Sequence, residues 1–321
     1  MPELKIFTGN AHRALAEDIC ACIGVPMGNA LVTTFKNGET RVKIEEHVRG
    51  ADVFVIQPTS NPTDHHIMEL LIMIDALKRA SADRITAVIP YYAYAKQEKK
   101  PTGREPISAK LVANLLVTAG VDRVVGLDLH APAIQGFFDI PVDHLTAIPL
   151  LADVLSEQGL SDIVVVSPDS GGVSRANDFR YRINADLAVI AKHRPETDVV
   201  EVLEITGNVE GKRAVIVDDM ISTGGTLAEA AEMLMNRGAK CVWAYAVHAV
   251  LAGNAVELIR NSCLERVVVT NTIPVPYSAR DGKIEVVNIA WLIAEAIRRI
   301  HEGNSVSELF KTPRFRQEPL I

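Results

Sequence analysis

Cysteine is scarce in this chain: four residues in 321, with no C-x-x-C spacing, exclude a cysteine-rich zinc site and a disulfide-stapled scaffold. Cys20, Cys22, Cys241 and Cys263 fall mostly in runs that read as helix or strand interior, so reduced core thiols are expected. A basic excess is missing as well. With 33 Lys and Arg against 40 Asp and Glu, the net charge is -7 and the pI about 5.8, which argues against nonspecific nucleic-acid binding and confines any anion site to a local patch. No apolar run approaches the ~20 residues that span a bilayer. The N-terminus, Met-Pro-Glu-Leu-Lys-Ile-Phe-Thr-Gly-Asn, has no basic region followed by an apolar stretch, so a cytoplasmic protein without membrane contact is expected.

A composition of 48% hydrophobic and 23% charged residues is globular, and at ~100–200 residues per domain the length implies two domains. Apolar strand-like runs alternate with helical patterns throughout, the mark of a mostly parallel sheet flanked by helices, so the fold class is α/β. Strands are expected at Leu4–Phe7, Leu31–Phe35, Val53–Gln57, Ile85–Ile89, Val124–Asp128, Ile163–Ser167, Ala214–Asp218, Cys241–Val247 and Val267–Thr270. Helices are expected at His12–Ile23, Asp64–Ala80, Ser108–Ala119, Pro149–Gln158, Leu227–Arg237, Asn254–Ile259 and Asn288–His301. A boundary near Leu150 gives each side its own strand and helix series, with domains at 1–150 and 151–321; the last helix could pack on either.

Residues 213–226 carry the most chemistry. Arg-Ala-Val-Ile-Val ends at Asp218-Asp219, and Met-Ile-Ser-Thr-Gly-Gly-Thr then leads into a helix. Gly224 and Gly225 let backbone N–H groups approach an anion, Ser222, Thr223 and Thr226 add hydroxyl donors, and the helix N-terminus adds partial positive charge. The two carboxylates, acceptors when ionised, suit vicinal hydroxyls or a hydrated metal ion. No Lys follows the glycines and no G-x-G-x-x-G is present, so neither a Walker loop nor a dinucleotide fingerprint is indicated. Two more strands, Val124 to His130 and Ile163 to Asp169, also run from apolar residues to a carboxylate or imidazole, and ligands of open α/β sheets collect at such strand ends.

Two acids followed by T-G-G-T resemble the signature of the type I phosphoribosyltransferase superfamily. Further segments narrow the resemblance to its ribose-phosphate diphosphokinases: Thr34-Phe-Lys-Asn-Gly-Glu39, Ile67-Met-Glu-Leu-Leu-Ile-Met73, Pro90-Tyr-Tyr-Ala-Tyr-Ala-Lys-Gln97, Arg104-Glu-Pro-Ile-Ser-Ala-Lys110, Asp128-Leu-His130, Gln135-Gly-Phe-Phe-Asp139, Ser167-Pro-Asp-Ser-Gly-Gly172 and Ser305-Val-Ser-Glu-Leu-Phe310. The resemblance implies two tandem phosphoribosyltransferase-type domains and Mg²⁺-dependent transfer of the diphosphoryl group of ATP to the anomeric hydroxyl of ribose 5-phosphate. It implies that Asp218 and Asp219 hold the ribose hydroxyls and that Ser222, Thr223, Gly224, Gly225 and Thr226 hold the 5-phosphate. His130 and Asp169 match the metal ligands, with His130 also beside ATP. Phe35, Asn37 and Glu39 match the adenine-contacting segment, lent by a neighbouring subunit of a homohexamer, while Lys96 and Gln97 match the residues against the ATP phosphates. Lys192-His-Arg194-Pro, expected as a loop, matches the mobile catalytic loop; Lys192 and Arg194 are the implied transition-state stabilisers, and no general base is evident.

The chain departs from that pattern at Asn37, often Asp; at Lys96, often Arg; and at Ser170, often His or Ala. Lys96 keeps the charge but loses the bidentate fork. A salvage phosphoribosyltransferase would have a single such domain, and a noncatalytic regulatory subunit would have no need of Lys192, Arg194, His130, Asp169, Asp218 and Asp219 together.

Overall fold

The computed structural model describes residues 2–193, 202–280 and 282–311. The first half runs β1 (Leu4–Thr8), α1 (Arg13–Ile23), β2 (Ala30–Thr34), β3 (Thr40–Ile44), β4 (Asp52–Ile56), α2 (Thr63–Arg79), β5 (Arg84–Ile89), α3 (Ser108–Ala119), β6 (Arg123–Leu127), β7 (Val142–Leu145) and α4 (Ile148–Ser156). The second runs β8 (Ile163–Ser167), α5 (Val173–Ile183), β9 (Asp186–His193), β10 (Val202–Thr206), β11 (Arg213–Ile221), α6 (Gly225–Asn236), β12 (Cys241–Ala249), α7 (Ala255–Asn261), β13 (Leu264–Thr270), β14 (Ile284–Val287) and α8 (Ala290–Glu302).

Strands β1-β4-β5-β6-β7 form a five-stranded parallel sheet. Strands β10-β9-β8-β11-β12-β13-β14 form a seven-stranded sheet, parallel except where β10 pairs antiparallel with β9. All five residues of β4 and all nine of β12 are buried, as expected for strands covered by helices on both faces. The β2–β3 hairpin stands apart as a two-stranded antiparallel ribbon.

Local sequence explains most boundaries. Asp64 opens α2, and Lys78 with Arg79 close it, each complementing the helix dipole. Helices α1, α3 and α8 end at left-handed Gly24, Gly120 and Gly303. α5 has no counterpart in the sequence expectations because it is polar and buries only Ala176 and Phe179. The C-terminal end of β9 carries Lys192, which pairs with Leu203 of β10 rather than lying in a loop; Arg194 falls outside the described residues. Of the four free cysteines, Cys263 between α7 and β13 is exposed, so it is not a core thiol.

The halves share one apolar layer. Ile6, Leu15 and Phe54 join Leu151, Phe179, Val217, Tyr245, Ile293 and Ile297 in a continuous cluster. The final helix, α8, packs on the first half. Asn288 Nδ2 donates to Asp18 Oδ2 at 2.8 Å, Arg298 reaches the Cys22 carbonyl at 3.2 Å, and His301 Nδ1 donates to Asp52 Oδ2 at 2.7 Å. Asp52 is fully buried and also accepts Arg84 Nε at 2.8 Å, while Arg84 Nη2 donates to the Ile300 carbonyl at 3.2 Å. Among the described residues, no helix is long and apolar enough to cross a membrane.

The Asp52 cluster generates a stability prediction. Asp52→Ala strips Arg84 and His301 of their shared acceptor, and removing one partner of a buried pair costs about 3–5 kcal/mol. A clear fall in the thermal-unfolding midpoint is expected, and an unchanged midpoint would show that α8 is anchored by apolar contact alone.

Candidate active site

The strand ends singled out in the sequence converge. A cavity of about 250 Å³ is lined by Asp169 beyond β8, by Asp218 and Asp219 on β11, by Ser222, Thr223, Gly224 and Thr226 leading into α6, and by Lys96 and His130 from the first half. A contiguous trough of about 230 Å³ shares Lys96, Met220 and Ser222 with it and adds Gln97, Tyr91 and Tyr94.

The β11–α6 turn is built for an anion. Gly224 caps α6 at φ +80°, a conformation that L side chains resist, and its carbonyl accepts the first helical hydrogen bond from Ala228 at 3.0 Å. The N–H groups before Ala228 thus have no acceptor within the helix and point to the mouth of the turn. Gly225 opens α6 beside the cavity wall, with no atom within 4 Å of where a Cβ would sit. The β8–α5 turn is different, because a carboxylate of its own occupies one of its N–H groups. Asp169 Oδ1 accepts the Gly172 N–H at 2.8 Å, and Ser167 Oγ donates to the Asp169 carbonyl at 2.7 Å. Asp169 itself is exposed.

The adjacent acids differ. Asp219 is buried; its Oδ2 accepts His130 Nδ1 at 2.7 Å, and Arg175 Nη2 faces its Oδ1 at 3.6 Å. Asp218 is more open and takes Arg175 Nη1 at 3.2 Å and the Asp219 N–H at 2.8 Å. Burial and the neighbouring Asp219 charge push the Asp218 carboxyl up. Burial works against ionisation of Asp219 too, but the His130 hydrogen bond and the Arg175 charge outweigh it and hold Asp219 below the usual carboxylate range. The same hydrogen bond raises His130. Arg175, one turn into α5, was not anticipated. Its signal was its place three residues after Gly172, visible only once a polar helix is admitted there.

The turn that presents His130 is strained and held on all sides. Asp128 has φ +39°, uncommon for a residue with a side chain. Its N–H donates to the Leu145 carbonyl at 2.9 Å, and its carboxylate accepts the Thr146 hydroxyl and the Ala147 N–H, both at 2.7 Å. Burial pushes that carboxyl up to about 6. The Leu129 N–H donates to His144 Nε2 at 2.9 Å. His248, buried on β12, lies 3.1 Å from the Asp128 carbonyl through Nε2 and 3.0 Å from Thr272 Oγ1 through Nδ1. A carbonyl only accepts, so Nε2 carries the proton and Nδ1 accepts from the Thr272 hydroxyl.

Not every candidate is brought here. Phe35, Asn37 and Glu39 sit on the turn of the β2–β3 hairpin and do not line the cavity; Phe35 is 48% exposed, with the Arg41 guanidinium 5.5 Å from its ring centre. The side chains at Lys192 and Arg194 lie outside what is described.

Burial lowers the His248 imidazole to about 4, against an ordinary value near 6.5. The unfolded chain therefore takes a proton as pH falls below about 6.5 while the folded protein does not, so this group's stability contribution is present at neutral pH and is lost towards pH 4. His248→Gln, which cannot titrate, should lose less stability than the wild type between pH 6.5 and pH 4 in urea unfolding. Parallel acid profiles would remove His248 from the account.

The profile of the N-terminal domain of ribose phosphate pyrophosphokinase matches residues 4–120, and that of the phosphoribosyl synthetase-associated domain matches residues 192–311. The chain is 55% identical over 309 residues to a ribose-phosphate pyrophosphokinase of Halalkalibacterium halodurans, covering 96% of this chain and 98% of that protein. It is 52% identical over 311 residues to one from Aquifex aeolicus, covering 97% and 100%. The crystal structure of phosphoribosylpyrophosphate synthetase from Mycobacterium smegmatis superposes with a TM-score of 0.90 at 45% identity, covering 94% of this chain and all of that one. A two-sheet α/β chain whose glycine turn and paired acids face a lysine and a histidine from its other half thus belongs to the ribose-phosphate pyrophosphokinase family.

Proposed function

We propose that this protein transfers the β,γ-diphosphoryl group of ATP to the anomeric hydroxyl of ribose 5-phosphate, giving phosphoribosyl diphosphate and AMP. The observation that carries the reading is one cavity lined from both halves, with the glycine cradle and paired acids on one wall and Lys96 with His130 on the other. The N–H groups and hydroxyls from Ser222 to Thr226 hold the 5-phosphate, while Asp218 and Asp219 accept from the ribose hydroxyls.

The donor set suits Mg²⁺. Among the described residues, no three His, Cys, Asp or Glu side chains form a closed cage, whereas Asp169 and the free edge of His130 both line the cavity. A divalent cation bound there would be held by Asp169 and His130 and would supply positive charge against substrate phosphate. Lys96 adds a point charge against the same phosphates. The chain's contribution is positioning plus cationic stabilisation, for which Lys192 and Arg194 are the proposed groups.

Incubation with ATP, ribose 5-phosphate and Mg²⁺ should yield AMP in equal amount to phosphoribosyl diphosphate. ADP as the product would replace diphosphoryl transfer by simple phosphorylation.

The exposed hairpin supports a shared site, in which Phe35, Asn37 and Glu39 serve the adenine of a neighbouring subunit in a homohexamer. Lys192→Ala should lower kcat by about 10²-fold or more with little change in KM for ribose 5-phosphate. Mixing it with Phe35→Ala after subunit exchange should restore part of the activity, since some sites regain both groups. Additive, unrestored activities would show that each chain works alone.

A further inference from the structure

We propose that His248 is a positioning residue for this reaction, fixing the Asp128-Leu129-His130 turn so that the His130 imidazole meets the cavity. The inference rests on the reading of His130 as a functional group, and its test is arranged to separate the two.

His248 and Asp219 belong to neighbouring parallel strands, where Met220 is in register with His248. The second half therefore grips the turn at two points: Asp219 at the His130 ring, 2.7 Å away, and His248 at the Asp128 carbonyl two residues earlier, 3.1 Å away. A residue with φ +39° persists only where its surroundings over-determine it, and among the described residues the His248 N–H is the donor that meets that carbonyl. The imidazole is itself locked. Thr272 Oγ1 holds Nδ1 at 3.0 Å, Tyr91 packs edge-on at a ring separation of 5.2 Å, and the ring is only 2% exposed. It reaches no part of the cavity lining, so it acts on His130 through the backbone rather than on substrate. Without its N–H, the Asp128 carbonyl is buried without a donor, the left-handed conformation loses its brace, and His130 is free to leave Asp219.

The test uses His248→Leu, which keeps apolar bulk but has no donor, and His248→Gln, whose amide restores one. Loss of a group that orients a ligand commonly costs about 10–100-fold, so His248→Leu should lower kcat by that factor while KM for ribose 5-phosphate stays within about twofold, because the cradle lies on β11 and α6. His248→Gln should recover most of the loss. In a His130→Ala background, His248→Leu should add no more than about twofold, since its effect passes through His130.

Full kcat in folded His248→Leu, an equal further loss in the His130→Ala background, or a change confined to KM would each overturn the inference. Full activity of His130→Ala alone would overturn the reading beneath it, and the positioning role with it. Should His248→Leu not fold, Thr272→Val, which unpins Nδ1, should give a smaller loss of kcat with KM kept and no loss when His130 is absent; retained kcat there overturns the proposal.

Discussion

The hydrogen bond between His130 and Asp219, 2.7 Å long, joins the two halves at the wall of the cavity. Every other feature of the cavity belongs to one half: the cradle to β11 and α6, the second turn to β8 and α5, Lys96 to the first half. A buried carboxylate without partners is expensive, by several kcal/mol. Asp219 is therefore tolerable only because Arg175 approaches from its own half and His130 from the other. The apolar layer that runs from Phe54 to Val217 and Ile297 holds the halves rigidly enough for that bond to be made. Fold and site are thus coupled, since the packing sets a distance that the acid requires.

That coupling shapes how a chain of net charge -7 can bind two highly anionic substrates. Among the described residues the cavity lining holds one cation besides the histidine, Lys96, and nearby Arg175 is already engaged by Asp218 and Asp219. Attraction among the described groups then comes from the backbone N–H groups of the β11–α6 turn, from the dipole of α6 and from Lys96. Two paired acids close to a phosphate cradle would repel the substrate in an apo site if both were fully charged and open. Arg175 and His130 offset that repulsion, and the proton affinity of Asp218, raised by burial and its neighbour, reduces it further.

Much of this was legible in the sequence because it is local. The run Ala214 to Asp218, the turn Ser222 to Thr226 and the strand ending before His130 encode burial, glycine geometry and chemistry within a few residues, and the elements β8, β11 and α3 follow from such patterns. The class of fold followed from alternation of the same kind. What was not legible is of two sorts. Elements with little apolar surface, such as α5, or with few residues, such as β7 and β14, carry too weak a periodicity to stand out. Contacts across the chain carry none at all. Arg175 meets Asp218 across 43 positions, and His248 meets Asp128 across 120, and nothing near either residue announces the other.

The three histidines around the Asp128 turn show why residue type alone cannot assign roles. His144 accepts the Leu129 N–H on Nε2, so a neutral ring must carry its proton on Nδ1, and burial lowers its basicity. His248 donates from Nε2 to a carbonyl and so carries its proton on the opposite nitrogen. His130 alone faces a carboxylate, which raises its basicity and leaves its outer edge towards the cavity. Two of the rings thus act as neutral braces with opposite tautomers, and their fixed hydrogen bonds set the backbone from which the third is aimed. The ring that meets the cavity is thus placed by two that do not line it.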